Sequence, residues 1–219
     1  MRIDLHTHTL ISDGVLLPIE LARRAAVMKH EALAFTDHAS MSNIERVVRE
    51  AKKDAELAAE WGIKVLAGCE ITHVPAKRLD QVVSAARRAG AEIIVVHGET
   101  ISEPVENGTN HAAVNNPEVD ILAHPGLITL EDAQAAADNG VALEITIRPS
   151  HGMTNGHVAS MARRVGARLI VNTDTHAPGD LITEERAMTI AMGAGMSEEE
   201  AVKAVRDVPQ DIVRRICGR

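Results

Sequence analysis

Aromatic side chains are almost missing from this chain. Phe35 and Trp61 are the only phenyl and indole groups among 219 residues, and there is no tyrosine. A stacking platform for unpaired bases is therefore hard to assemble, and the core must be built from Ala, Val, Ile, Leu and Met. Cysteine is scarce as well. Cys69 and Cys217 form no CxxC pattern and no disulfide framework. No apolar run approaches the roughly 20 residues that a membrane span needs. The chain passes from Met1-Arg2-Ile3-Asp4 straight into a predicted strand, so a soluble, cytoplasmic protein without a signal peptide or membrane partner is expected. Excess positive charge is also lacking. A net charge of −8 disfavours long nucleic acid as a partner held by basic patches. Bound divalent cations would reverse that sign locally, which keeps phosphate substrates in play. With 45% hydrophobic and 25% charged residues, the chain has ordinary globular proportions and is expected to form one domain over 1–219.

What the chain has in quantity is histidine and carboxylate, placed at nearly regular intervals just after short apolar runs. The first run ends in Asp4-Leu5-His6-Thr7-His8, and the i, i+2 spacing puts both imidazoles on one side of an extended strand. The same event follows at Asp37-His38, Glu70, His97, His124, Arg148 and Asp174-Thr175-His176, with 24 to 32 residues between successive events. That interval is about one βα unit. Polar groups at the carboxyl ends of successive parallel strands converge on one face of a barrel.

The predicted strands are 2–5, 32–36, 63–67, 92–96, 119–123, 142–147 and 168–172. Runs such as Ile93-Ile94-Val95-Val96 are apolar on both faces, as covered parallel strands are. Helices are predicted over 18–29, 42–61, 76–89, 130–138 and 155–165, and Leu79, Val82, Val83 and Ala86 follow the helical i, i+3, i+4, i+7 spacing. Beyond residue 180 the pattern is purely helical, with a cap at Ser197 and a last helix near 209–216. Seven βα units without an eighth strand predict an α/β fold of irregular barrel type. Two connections, 98–118 and 148–156, are dense in Gly, Pro and Asn and should overhang the strand ends.

Neutral imidazole and carboxylate suit zinc, manganese or iron. Nine candidate ligands stand at or near the strand ends: His6, His8, Asp13, His38, Glu70, His97, His124, Asp174 and His176. One mononuclear centre would use about three of them. Three metals with shared ligands would use all nine, whereas two would leave buried polar groups needing other partners. Taken singly, Asp13 in Ser12-Asp13-Gly14 reads as a turn residue and Asp37 or Asp174 as a helix cap; the coincidence at seven strand ends argues for a metal site. Arg148 is placed to clamp a phosphate bidentately or to pair with a neighbouring carboxylate. His73, His111 and His151 are the remaining histidines within reach of substrate or metal, while His30 and His157 read as structural.

These motifs together resemble the PHP (polymerase and histidinol phosphatase) family: Asp4-Leu5-His6-Thr7-His8-Thr9 with Ser12-Asp13-Gly14, Thr36-Asp37-His38, Gly68-Cys69-Glu70-Ile71, Val96-His97-Gly98, Ala123-His124-Pro125-Gly126 and Asn172-Thr173-Asp174-Thr175-His176. The resemblance spans residues 4 to 176. It implies a distorted (β/α)7, TIM-like barrel with a trinuclear centre at the carboxyl ends of the strands, filled by two to three divalent ions (Zn, Mn or Fe). It further implies that His6, His8, Glu70 and Asp174 hold one metal, that Glu70 bridges to a second held by His97 and His124, and that Asp13, His38 and His176 hold the third.

The expected activity is hydrolysis of a small phosphomonoester, histidinol phosphate being one such substrate, by a metal-activated hydroxide. Arg148 would neutralise phosphoryl oxygens, and Asp174 or His151 would handle the leaving group's proton. Three rivals stand beside it. A phosphodiesterase or exonuclease would use the same chemistry on nucleotides. An amidohydrolase also begins with HxH, yet no lysine stands at the fourth strand end, where His97 is found. A metal-binding subunit of a ribonucleoprotein assembly would need no catalysis.

Overall fold

The computed structural model describes residues 2–218. Seven strand directions emerge at the predicted places, all parallel, but two of them are broken. The first is β1 (Arg2–Asp4). The second splits into β2 (His30–Phe35) and β3 (His38–Ala39), and the third into β4 (Lys64–Ala67) and β5 (Cys69–Ile71). Then follow β6 (Ile94–His97), β7 (Ile121–Ala123), β8 (Ala142–Thr146) and β9 (Leu169–Asn172). The breaks divide the ladder into a sheet ordered β1-β2-β4 and a second ordered β3-β5-β6-β7-β8-β9.

Each break has a local cause. At Gly68 the strand changes partners: its N–H bonds to Phe35 O, and the next, from Cys69, to Ile93 O. A Cβ on Gly68 would lie 2.2 Å from that Ile93 oxygen, so only glycine admits the approach. In the second strand the break falls at Thr36 and Asp37, where the Asp37 carbonyl still accepts from the Glu70 N–H at 3.1 Å. The Asp37 carboxylate accepts from the Thr9 and Ser12 backbone N–H groups and from both hydroxyls, at 2.7 to 3.1 Å. Those four bonds tie the segment after the first strand to the end of the second.

Helices follow the strands. They are α1 (Pro18–Val27), α2 (Ile44–Ala58), α3 (Leu79–Ala89), α4 (Thr109–Val114), α5 (Leu130–Asn139), α6 (Asn155–Val165), α7 (Glu184–Gly193), α8 (Glu198–Val202) and α9 (Val208–Cys217). Pro18 opens α1 at a position where a missing N–H costs nothing. Ser197 caps α8 in a reciprocal box with Glu200. A π-type segment, Lys203–Asp207, joins α8 to α9 just before Pro209, whose ring cannot continue the regular hydrogen-bond ladder. No described helix is long and apolar enough to cross a membrane.

Alternation along the strands sorts the core into layers. Ile3, Leu5, Ala32, Ala34, Leu66, Val95, Ile121, Ala142 and Ile170 form one buried cluster drawn from all seven strand directions, closed at one end by Ile212 and Ile216 of α9. The opposite faces, among them Ile94, Val96, Leu122 and Leu143, pack against the helices. The first and last strand directions also meet. Thr7 bridges Thr175 in parallel, His8 N–H donates to Thr175 O at 2.8 Å, and Asp174 N–H to His6 O at 3.0 Å.

Candidate metal centre

All nine predicted ligands converge on one bowl at the carboxyl ends of the strands. His6 and His8 leave β1 with their Nε2 atoms 3.1 Å apart. Glu70 sits between them with its oxygens 3.4 Å from His6 Nε2 and 3.5 Å from His8 Nε2. Asp174 Oδ1 closes on the same pair, 3.1 Å from His8 and 3.7 Å from His6. On one side, Asp13 Oδ2 stands 3.5 Å from His38 Nε2 and 3.3 Å from His176 Nε2. On the other, ligand nitrogens of His97, His124 and His151 lie within 4.8 Å of one another, and Glu70 Oε1 is 3.7 Å from His124 Nε2. Glu70 thus occupies the middle, beside His6, His8, His38 and His124.

The arrangement suits cations. Glu70 is completely buried and its oxygens face imidazole nitrogens, with His38 Nδ1 at 2.8 Å, while Nδ1 of His8, His97 and His124 has no hydrogen bond among the described residues. Imidazole lone pairs crowded around a buried carboxylate are costly in a dry interior unless a cation or protons lie between them. Protonation tells the same story. Burial opposes it, but Glu144, Glu70 and Asp174 raise the His6 pKa well above the ordinary value. Burial likewise opposes charge on His38, yet Glu70 and Asp13 push its pKa up to about 10. Against the cost of burial, His6, His38 and His97 hold Glu70 well below the carboxylate range, and His6 and His8 do the same for Asp174. Asp13 is held far down by His176 and His38, again against burial. Protons on imidazoles here balance the carboxylates where divalent ions would do so.

Two site residues carry a backbone cost. His124 and Asp174 adopt positive φ, 27° and 53°, a region that non-glycine residues occupy at an expense of about 1 to 3 kcal/mol. At His124 the turn brings inward a side chain that alternation after Ile121 and Ala123 would have sent to the opposite face.

Several contributors carried no clear sequence signal. Glu144, a lone charge inside the apolar strand β8, accepts a hydrogen bond from His6 Nδ1 at 2.7 Å and another from Asn172 Nδ2 at 3.0 Å. This fixes His6 with Nε2 toward the bowl, as metal-ligating histidines are usually fixed. His38 is oriented by Thr72 Oγ1, 2.6 Å from its Nδ1. Glu103, on the connection after β6, reaches His97 Nε2 at 3.2 Å, His151 Nε2 at 3.4 Å and His73 Nε2 at 3.5 Å. Its type was visible, but a loop conformation is needed to bring it there.

Arg148 stands at the rim, two-thirds buried. Its Nε is 3.5 Å from Asp174 Oδ2, and its Nη1 donates to Asp174 O at 3.3 Å and lies 2.8 Å from His176 Nδ1. Beside it lies a hollow of about 330 Å³ lined by Ile147, Arg148, Pro149, Ser150, Thr173, Asp174 and Asp180. His73 borders the bowl through Glu103, whereas His111 pairs with Asp132 at 2.8 Å and His157 bonds to Ile128 O. His30 is buried on its own strand's first residue, at the far end of β2.

The PHP domain model matches residues 4–97, which hold six of the nine ligands. The uncharacterized protein MJ1295 of Methanocaldococcus jannaschii is 46% identical over 99% of this chain and all of its own length. Ribonuclease P protein component 3 of Methanosarcina mazei is 28% identical, with 94% of this chain and 86% of that protein covered. The probable phosphatase TTE1963 of Caldanaerobacter subterraneus is 27% identical over 99% of this chain and 94% of its own. In structure, the chain resembles one chain of the cryo-EM structure of archaeal ribonuclease P with mature tRNA, at a TM-score of 0.69 and 17% identity, covering 99% of this chain and 90% of that one. That last likeness speaks to fold alone. Motif order, bowl geometry and family match together place this chain in the PHP domain family.

Proposed function

We propose that this chain is a metal-dependent phosphoesterase acting on a small phosphomonoester at the bowl, and that its strands close into a distorted (β/α)7 barrel. The apolar cluster shared by all seven strand directions and the Thr7–Thr175 bridge support the closure. The observation that carries the activity is the buried Glu70 carboxylate, 2.8 to 3.7 Å from nitrogens of His6, His8, His38 and His124, with Arg148 at the rim. Two to three divalent ions, Zn, Mn or Fe, would be held by His6, His8, Glu70 and Asp174, by His97 and His124, and by Asp13, His38 and His176. Bound there, they would supply hydroxide near neutral pH and neutralise the phosphoryl oxygens.

The protein's own part is positional. Glu144 keeps His6 in one tautomer. Asp37 fixes the Thr9–Ser12 turn from which Asp13 projects. Arg148 presents a guanidinium fork beside a hollow large enough for a small substrate, and exchanges its contact with Asp174 for a phosphoryl oxygen. Of the two expected proton donors, Asp174 is held ionised by its imidazole neighbours. It therefore orients a water toward the leaving alkoxide, without a proton of its own to give. Burial lowers the His151 pKa and favours a neutral ring, so the leaving alkoxide takes its proton from that water.

A second reading rests on the relatives. Likeness to ribonuclease P protein component 3 favours a subunit of a ribonucleoprotein assembly, in which the bowl would serve structure. Metal content by elemental mass spectrometry, combined with turnover of phosphomonoesters and diesters in added Mn, Zn or Fe, separates the two. Two to three metals per chain with monoester turnover, both lost in His6→Ala and Glu70→Ala, is the expected result. Turnover of diesters alone moves the assignment to a nuclease, and the absence of any hydrolysis moves it to the assembly.

A further inference from the structure

Resting on the metal-dependent reading above, we infer that the ion expected at His97 and His124 has two further ligands in this chain, His151 and, from the connection after β6, Glu103. The ligand nitrogens of the three histidines lie within 4.8 Å of one another, and all three side chains are buried. The His124 and His151 rings stack with centroids 4.3 Å apart, and His97 meets His124 edge-on at 4.5 Å. Glu70 approaches this group at His124, 3.7 Å away. Its Oε2 instead lies 2.8 Å from His38 Nδ1, on the opposite side of the bowl. The carboxylate that serves His97 and His151 is Glu103, at 3.2 and 3.4 Å.

His151 is built as a ligand. Its Nδ1 has two hydroxyl partners, Thr100 Oγ1 and Ser102 Oγ, each at 2.8 Å. With the ring proton on Nδ1, Nε2 presents a lone pair toward Glu103 and the cluster, the tautomer that coordinates metal when the other nitrogen is hydrogen-bonded to oxygen. Thr100, Ser102 and Glu103 all belong to one short stretch. The connection after β6 therefore both orients the extra imidazole and supplies the closing carboxylate.

The test uses the full chain loaded with zinc and dialysed, with zinc counted by elemental mass spectrometry and its affinity read by competition with a chromogenic chelator. His151→Ala should hold one zinc fewer than the wild type, or hold its weakest zinc at least 10-fold less tightly. Glu103→Gln, on the accessible edge of the bowl, should weaken the same zinc several-fold and decides the matter if His151→Ala does not fold. Unchanged count and competition in both variants would overturn the inference, and would leave the phosphoesterase reading standing if the wild type still binds zinc and turns over phosphomonoesters. A wild type that binds no zinc overturns the inference, and leaves the phosphoesterase reading to turnover with Mn or Fe.

Discussion

His30 shows what one buried titratable side chain does at the end of the molecule away from the bowl. It is 4% exposed, and burial pushes its pKa down to about 4, against about 6.5 in an unfolded chain. As pH falls through 6.5 the unfolded chain takes up the proton first, so stability is undiminished above that value, falls between 6.5 and 4, and levels off below. The loss is on the order of 3 kcal/mol. A His30→Gln variant should lose less stability than the wild type over this window. Urea unfolding at each pH, with chelator present in both samples, reads the difference; parallel curves would refute it. Residue types in the bowl were legible because nine candidate ligands recur at or near strand ends. Glu144 and Glu103 were not, since one lies in mid-strand and the other on a loop whose path no spacing rule gives.

Among elements, the seven strand directions and the main helices could be read from runs of β-branched residues and from helical spacing. The breaks could not. Gly68 looks like any glycine after a strand, and only the 2.2 Å approach to Ile93 O explains why β4 and β5 are separate. The connection 98–118 read as turn-rich throughout, yet Thr109–Val114 is helical. Asn110 there earns its place by donating to Pro125 O and accepting from the Glu99 N–H. Such tertiary bonds outweigh local propensity. The same junction gives a prediction. A Cβ on Gly98 would sit 2.3 Å from Ala123 O, one residue before His124. Gly98→Ala should therefore shift the β7 end, cost about 2 kcal/mol and weaken metal binding. Gly179→Ala, with nothing within 4 Å, is the control and should leave both unchanged. Thermal unfolding and zinc competition on the two variants check this.

At the scale of the whole molecule, a chain of net charge −8 gathers Asp13, Glu70, Glu144 and Asp174 into one bowl, three of them fully or almost fully buried. Such an arrangement invites cations and resists folding without them. Metals that bind the folded bowl and not the unfolded chain stabilise it by about 2.7 kcal/mol for each ion present at 100 times its dissociation constant. For a protein of this length, 1 kcal/mol moves Tm by roughly 2 to 4 °C. Removing the ions with a chelator should therefore lower Tm by about 10 °C or more if two are bound. Without them, the carboxylates depend on protonated imidazoles such as His38, whose pKa is about 10. A raised histidine pKa gives stability that is complete below pH 6.5 and fades as pH rises toward 10. The gap in Tm between loaded and stripped protein should accordingly widen from pH 6 to pH 9. Differential scanning calorimetry at both values measures it, and a gap that is absent or narrows with pH would show that the bowl does not owe its stability to cations.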